Sequence, residues 1–75
     1  MKLDEFVKLF AEQFDETDPS EFQPDTLFQD LEEWSSLSAM SIIAFIKTQY
    51  GKTVTGKEIR SCKTIQELFE LVKEK

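Results

Sequence analysis

The chain has 75 residues, enough for one domain with a single hydrophobic core, and we treat residues 1–75 as that domain. It contains one cysteine, Cys62, and no histidine, which excludes an internal disulfide, His/Cys metal sites, Ser-His-Asp triads and Cys-His pairs within one chain. The net charge of −6 is uneven, with −9 on residues 1–33 and +3 on residues 34–75, and the basic residues form no dense patch for nucleic acid.

The apolar segments are short. None approaches the about 20 residues of a membrane span, and the first residues lack the apolar core of a signal peptide. We therefore expect a cytoplasmic protein with no membrane partner. A domain of this size rarely builds a deep catalytic cleft, so we expect a binding or carrier protein, not an enzyme and not a metal protein.

The first predicted element is a helix, because apolar residues recur from Leu3 to Phe14 at three- and four-residue steps. Pro19 and Pro24 then interrupt the pattern. Residues 20–35 predict a long connection. Five apolar residues are expected to pin it to the core: Phe22, Leu27, Phe28, Leu31 and Trp34.

A second helix of some 15 residues is predicted to end at Gly51, a residue suited to a helix C-terminus. It is apolar over much of its circumference, which predicts a central helix with neighbours on more than one side. Its apolar residues are Leu37, Met40, Ile43, Ala44, Phe45, Ile46 and Tyr50.

Two shorter elements complete the chain. One or two helical turns are predicted around Glu58, between Lys52 and Cys62. A final helix is predicted after Thr64, which caps it while Glu67 reaches back in a capping box. Its buried face is Ile65, Leu68, Phe69 and Val72. The fold prediction is therefore an all-α four-helix bundle with a long first connection and a short third helix.

Two adjacent serines, Ser35 and Ser36, lie where the second helix is predicted to begin. Serine is favoured at helix N-caps because its oxygen accepts from unpaired backbone amides, so one of the pair is expected to cap. A phosphate ester on a serine hydroxyl at a helix start would also lie near free amides and the positive end of the helix dipole. The residues alone leave both interpretations open.

The whole chain resembles the acyl carrier protein family. The resemblance rests on Trp34-Ser-Ser-Leu37 opening an apolar helix, on Gly51, Val54 and Ile59 before and within the third helix, and on Lys63-Thr-Ile-Gln-Glu-Leu68 opening the last. The family motif is Asp-Ser-Leu or Asp-Ser-Met, whose serine receives 4′-phosphopantetheine from coenzyme A. The resemblance therefore implies attachment at Ser36, flanked by Ser35 and Leu37, in an acyl-carrier-like four-helix bundle.

The sequence departs from the motif at Ser35, where the family usually has aspartate. The resemblance implies that this aspartate lies near the catalytic magnesium of the phosphopantetheinyl transferase. A serine can cap the helix but supplies no carboxylate to a hard cation. The departure predicts that Ser36 is loaded slowly, is loaded by a specialised transferase, or is not loaded. The sequence leaves open whether Ser35 is natural or an engineered substitution.

The resemblance also implies the mechanism. The thiol of the prosthetic group holds acyl intermediates as thioesters, and the protein presents them to acyl-transferring or synthase enzymes while working as a monomer. An acyl chain is expected between the second and third helices. Its predicted lining is Leu37, Met40, Ile43, Ile59 and Ile65, for each of which ordinary core packing is the alternative. Trp34 is expected to anchor the connection, and Cys62 to be structural.

The second helix lacks the acidic residues with which family members meet basic enzymes; it carries Ser38, Ser41, Lys47 and Thr48 instead. Partner contacts are therefore predicted at four other acidic residues: Asp30, Glu32, Glu33 and Glu58. This favours a specialised fatty-acid, polyketide or aminoacyl pathway over housekeeping synthesis. The alternative function is an unmodified, carrier-shaped module that works by protein contact alone.

Overall fold

The computed structural model describes residues 2–75. Its four α-helices are α1 (Leu3–Ala11), α2 (Ser36–Tyr50), α3 (Gly56–Ser61) and α4 (Ile65–Lys73). The connection between α1 and α2 contains two 3-10 turns, Pro19–Glu21 and Phe28–Asp30. The only β-type pairing in the described residues is an isolated bridge between Leu27 and Thr64. The predicted all-α bundle, with its long first connection and short third helix, is confirmed.

Helix α1 is shorter than its apolar pattern predicts. It buries Phe6, Val7, Phe10 and Ala11 and ends at Ala11. The amide of Phe14 donates to the Ala11 carbonyl at 3.1 Å, an i to i−3 bond that tightens the chain into a turn. Phe14 is still buried, because the turn keeps its ring on the side of the core. The spacing of apolar residues therefore located the core contact correctly but not the end of the helix.

Phenylalanine rings form the centre of the core. The ring of Phe10 lies 5.4 Å from that of Phe28 and 6.0 Å from that of Phe22, measured between centroids. The rings of Phe6 and Phe69 lie 5.5 Å apart and join α1 to α4. Aromatic pairs at such distances stabilise beyond the area that they bury. The long connection is thus held to α1 by the same cluster that holds the helices together.

Helix α2 has one buried face. Ile42, Phe45 and Ile46 are buried, whereas Leu37 is 75% exposed and Met40 is 64% exposed. The prediction of a helix with neighbours on more than one side is therefore wrong for its first half. Because exposed positions of this helix are also apolar, the sequence did not show which of its faces is buried. The predicted C-terminal cap is confirmed: Gly51 has a φ of 66°, and its amide donates to the Lys47 carbonyl at 3.0 Å.

The connection, residues 12–35, is pinned by four of its five predicted anchors. Phe22 and Phe28 are buried, and Leu31 and Trp34 are partly buried against the core. The prediction for Leu27 is wrong, because its side chain is 51% exposed. Backbone pairing holds that segment instead: the amides of Ile65 and Gln66 donate to the carbonyls of Thr26 and Pro24, at 3.3 and 2.9 Å.

The cap of α4 differs from the prediction. Thr64 accepts from the Glu67 amide at 3.1 Å as expected, but the Glu67 carboxylate accepts from the amide of Lys63, one residue before the predicted partner. The complete capping box lies instead at α3, between Thr55 and Glu58. Thr55 and Glu58 are three residues apart, as a capping box requires, so the sequence contained the pattern for this cap as well.

None of the helices described is long and apolar enough to cross a membrane.

Candidate functional site

The start of α2 distinguishes the two serines. Ser35 is the N-cap: its Oγ accepts from the Ser38 amide at 3.4 Å, and its carbonyl accepts from the Ala39 amide at 3.1 Å. The Ser38 hydroxyl donates to the Glu33 carbonyl at 2.9 Å, which closes this first turn. Ser36 is therefore the first helical residue. The capping task falls to Ser35 and leaves the hydroxyl of Ser36 available.

The surroundings of Ser36 fit an attached phosphate. The residue is exposed, and its hydroxyl has no hydrogen-bond partner within residues 2–75. In the same range the amides of Ser36 and Leu37 are also without a partner, as expected in the first turn of a helix. These donors lie at the positive end of a 15-residue helix. A phosphate on the Ser36 oxygen would be stabilised there, because the N-termini of helices bind anions. It would also remain exposed to solvent.

Trp34 fixes the segment that leads into this site. Its ring lies 5.0 Å from that of Phe28 and 6.3 Å from that of Phe14, between centroids. Its amide donates to the Leu31 carbonyl at 3.0 Å. The tryptophan therefore packs as the predicted anchor, and the chain leaves the core between Trp34 and Ser36.

Glu33 is tied to the opposite end of the connection. Its carboxylate accepts from the Thr17 hydroxyl at 2.7 Å and from the amides of Asp15 and Glu16 at 3.1 and 3.2 Å. The hydrogen bond from Thr17 is the main reason why the pKa of Glu33 is lowered. This clasp, Glu33 with residues 15–17, holds the turn after α1 against the segment that enters α2. The sequence offered no signal for it, because its partners lie 16 to 18 residues away.

The other acids predicted to bind partners fall into two groups. Asp30 and Glu32 are exposed and line a cavity of about 260 Å³, together with residues that follow α1 in the connection. Glu58 instead belongs to the capping box of α3, and its carboxylate pairs with the Lys75 ammonium at 2.8 Å. The hydrogen bond from Lys75 is the main cause of its lowered pKa. Of these three acids, only Asp30 and Glu32 are thus exposed without a capping hydrogen bond or an ion pair in residues 2–75.

The predicted acyl-chain lining is divided between core and surface. Ile59 and Ile65 are fully buried, Ile43 is partly buried, and Leu37 and Met40 are exposed. None of these five lines any of the four cavities described in the structure. An acyl chain would therefore need α2 and α3 to separate, and the lining remains a prediction.

Gln29 is a structural residue that the sequence did not indicate. Its side-chain amide donates to the carbonyls of Ile59, Arg60 and Cys62, at 3.3, 3.3 and 2.7 Å. Within residues 2–75, the carbonyls of Arg60 and Cys62 have no backbone donor at the end of α3, whereas that of Ile59 also accepts from the Cys62 amide at 3.1 Å. Cys62 itself is buried, and burial raises the pKa of its thiol, as expected for a structural cysteine.

The all-α bundle presents an exposed serine at the start of its second helix. The family model described as "Phosphopantetheine attachment site" matches residues 4–72, so nearly the whole chain is covered. The chain belongs to this family, and its prosthetic group is 4′-phosphopantetheine. Comparisons with curated proteins and with solved structures give no match. Domains of this family carry groups and do not catalyse reactions.

Proposed function

We propose that the chain is an acyl carrier protein, which holds acyl groups as thioesters on a 4′-phosphopantetheine arm at Ser36 and presents them to enzymes of a specialised fatty-acid, polyketide or aminoacyl pathway. The observation that carries this proposal is the exposed Ser36 hydroxyl beside two unpartnered amides at the start of α2. The arm supplies the thiol. The chain supplies its attachment point, orientation and address.

The residues of the chain act on the phosphate that joins the arm to Ser36. Loading would form a bond between the Ser36 oxygen and the phosphorus that carries the pantetheine of coenzyme A. The pyrophosphate P–O bond of coenzyme A would break, adenosine 3′,5′-bisphosphate would leave, and the hydroxyl proton of Ser36 would be released. The amides of Ser36 and Leu37 would be free to donate to the phosphate, and the helix dipole would favour its negative charge by about 0.3–1 kcal/mol at such an exposed site. Ser35 keeps the first turn in place by capping it, so loading requires no rearrangement of the helix.

The docking surface for partner enzymes is proposed at the same end of α2. Leu37 and Met40 are three residues apart, on one helix face, and are strongly exposed. Asp30 and Glu32 add negative charge just before them. An apolar centre with charged residues at its edge is typical of protein interfaces. We expect the partner enzymes to present an apolar patch with basic residues near the entry of the arm.

The absence of acidic residues from Ser36 to Tyr50 supports a specialised pathway, because enzymes that recognise an acidic second helix would lose those contacts here. The acyl chain is proposed to enter between α2 and α3, past Met40 and Ile43 towards Ile59 and Ile65. The flexible thioether of Met40 suits a position that must adapt to variable contents.

The alternative function is an unmodified module that works by protein contact. One observation favours it: Ser35 replaces the carboxylate that the family's transferases use. Measurement of intact mass after incubation with coenzyme A and a broad-specificity phosphopantetheinyl transferase separates the two functions. The proposal predicts the gain of one arm in the natural chain and in Ser35→Ala, and none in Ser36→Ala. An unchanged mass, under conditions that load a carrier with the aspartate motif, would establish the unmodified module instead.

A further inference from the structure

A second surface of the molecule, on α1, has the features of a binding site. Two adjoining cavities of about 440 and 420 Å³ share Asp4, Val7 and Phe22, and together form a groove between α1 and the first half of the connection. We name this the α1 groove. Val7, Ala11 and Phe22 line its floor, and Pro19 and Pro24 lie along its far wall. The wall cannot offer amide donors at the prolines, so the groove suits apolar groups.

The floor residues are themselves almost covered: Val7 is 8% exposed and Phe22 is 4% exposed. The groove is therefore shallow, and it is suited to one or two inserted side chains of a bound segment. Burial of such apolar anchors in small pockets commonly dominates the affinity of an interface.

The charged residues that line the groove carry a net charge of −1, and the segment around them is more acidic. Asp4 and Glu12 lie on its rim, with Lys8 between them. Residues 2–25 hold eight acidic residues and two lysines, and no basic residue occurs from Leu9 to Ile46. A second copy that paired through its own α1 groove would bring a like charge to the rim, because residues 2–25 of both copies are acidic. A segment with lysine or arginine on both sides of its apolar anchors would have the complementary charge.

We propose that the α1 groove binds a short basic segment of a partner protein, with one or two apolar side chains inserted over Val7 and Ala11 and cations beside Asp4 and Glu12. No residue of α2, α3 or α4 lines the groove, so Ser36 remains free when the segment is bound. The groove thus tethers the carrier to a partner while the arm reaches an enzyme. This site is independent of whether Ser36 is loaded.

The test uses the full chain and two labelled peptides, in which leucine anchors are flanked by lysine in one and by glutamate in the other. Amide chemical shifts locate the bound peptide, and fluorescence anisotropy gives its affinity. The lysine peptide is expected to shift Val7, Ala11 and Phe22, and the glutamate peptide to bind far more weakly. The double variant Asp4→Asn/Glu12→Gln should weaken binding about fivefold, from two exposed charge contacts. Lys8→Glu should strengthen it.

The matched control is Glu70→Gln/Glu74→Gln, which removes two exposed acids from the end of α4 and is expected to leave the affinity unchanged. Equal losses in the rim variant and this control would show diffuse attraction only and would overturn the proposal. It is likewise overturned if the lysine peptide fails to bind, if the shifts cluster on α2, or if sedimentation shows that the groove pairs with a second copy.

Discussion

Ser35 and Ser36 are chemically identical side chains with different surroundings. Ser35 Oγ accepts a backbone hydrogen bond that holds the first turn of α2, whereas the Ser36 hydroxyl points to solvent and has no partner in the described chain. A phosphate at Ser35 would compete with the cap, and a phosphate at Ser36 would not. The position along the helix start therefore favours Ser36 over Ser35 as the proposed attachment residue.

Replacement of Ser35 by aspartate should accelerate loading. Aspartate caps helices as well as serine does and restores a carboxylate beside the attachment serine. A charge-assisted contact of about 1.4 kcal/mol to the transferase corresponds to about a tenfold higher initial rate. Mass spectrometry over time measures this rate. Ser41→Asp adds the same charge to an exposed position farther along α2 and should leave the rate unchanged; equal rates for natural chain and Ser35→Asp would refute the argument.

The Glu33 clasp should make stability depend on pH. Because the folded-state pKa is lowered, the ionised carboxylate stabilises the fold above the ordinary pKa of glutamate. This contribution is lost as the pH falls through the lowered value. Glu33→Gln should therefore have a lower urea midpoint than the natural chain at pH 7, and the two midpoints should converge in acid.

The effect is expected to be small, since the carboxylate is exposed to solvent and partly screened. Glu32→Gln removes the neighbouring exposed charge and serves as the control. The difference between its urea midpoints at neutral and acidic pH should be nearly the same as that of the natural chain. A constant difference between Glu33→Gln and the natural chain at both pH values would show that the clasp does not depend on ionisation.

Among the elements, α2 presents the site and the connection positions α2. Trp34 anchors the segment before the cap, Glu33 ties it to residues 15–17, and Gln29 fixes the preceding 3-10 turn to the end of α3. These three contacts explain how 24 residues without an α-helix, 12–35, hold one orientation. Each joins parts of the chain distant in sequence, so the connection is part of the bundle and not a tether.

Removal of the Gln29 side chain tests that role. Gln29→Ala leaves the Arg60 and Cys62 carbonyls at the end of α3 without their donor, which should cost about 0.5–1.5 kcal/mol in the free energy of unfolding, because these hydrogen bonds are only partly buried or exposed. Urea denaturation measures it. Gln66→Ala removes a glutamine whose exposed side chain makes no hydrogen bond in residues 2–75, and should change the stability by less than about 0.5 kcal/mol. Equal losses in both variants would contradict the structural role of Gln29.

The helices could be predicted from sequence where local rules decide them. The apolar period of α4, the glycine at the end of α2 and the serine pair at its start all act within a few residues. The end of α1 could not be predicted, because Phe14 keeps the apolar spacing after the helix has ended. The exposure of Leu37 and Met40 also could not, since only the packing of neighbouring elements decides which apolar side of a helix meets solvent.

At the scale of the whole molecule, one aromatic cluster couples the helices and the connection. The ring of Phe10 contacts those of Phe6, Phe14, Phe22 and Phe28. A domain of this size has a total stability of only about 4–11 kcal/mol. A mutation that leaves a large cavity at the centre of the cluster should therefore remove a substantial part of that stability. The start of α2 should then be disturbed as well.

Phe10→Ala should lower the free energy of unfolding by about 3–5 kcal/mol, from lost burial and the cavity that remains. Calorimetry or urea denaturation measures the change. Leu37→Ala truncates an exposed apolar residue and should stay within about 0.5 kcal/mol of the natural chain. If Phe10→Ala were as mild as Leu37→Ala, the cluster would not be the centre of the fold.

The proposed attachment residue has a stronger signal in the sequence than the surfaces around it. The prediction of Ser36 rests on a local motif at a helix start, which resemblance to the family makes specific. The roles of Glu33 and Glu58 depended on contacts with Thr17 and Lys75, which composition cannot reveal. Acidic residues that a sequence shows as a patch can therefore be engaged within the fold, and Asp30 and Glu32 are the pair that stays exposed.

Fragmentation mass spectrometry of the loaded natural chain locates the arm, because it assigns the added mass to one of two adjacent serines. If Ser36 is the attachment residue, every fragment carrying 4′-phosphopantetheine includes Ser36, and fragments ending at Ser35 have their unmodified mass. An arm on Ser35, or a chain that stays unmodified with every transferase tried while a carrier with the aspartate motif is loaded, would contradict the proposed attachment at Ser36.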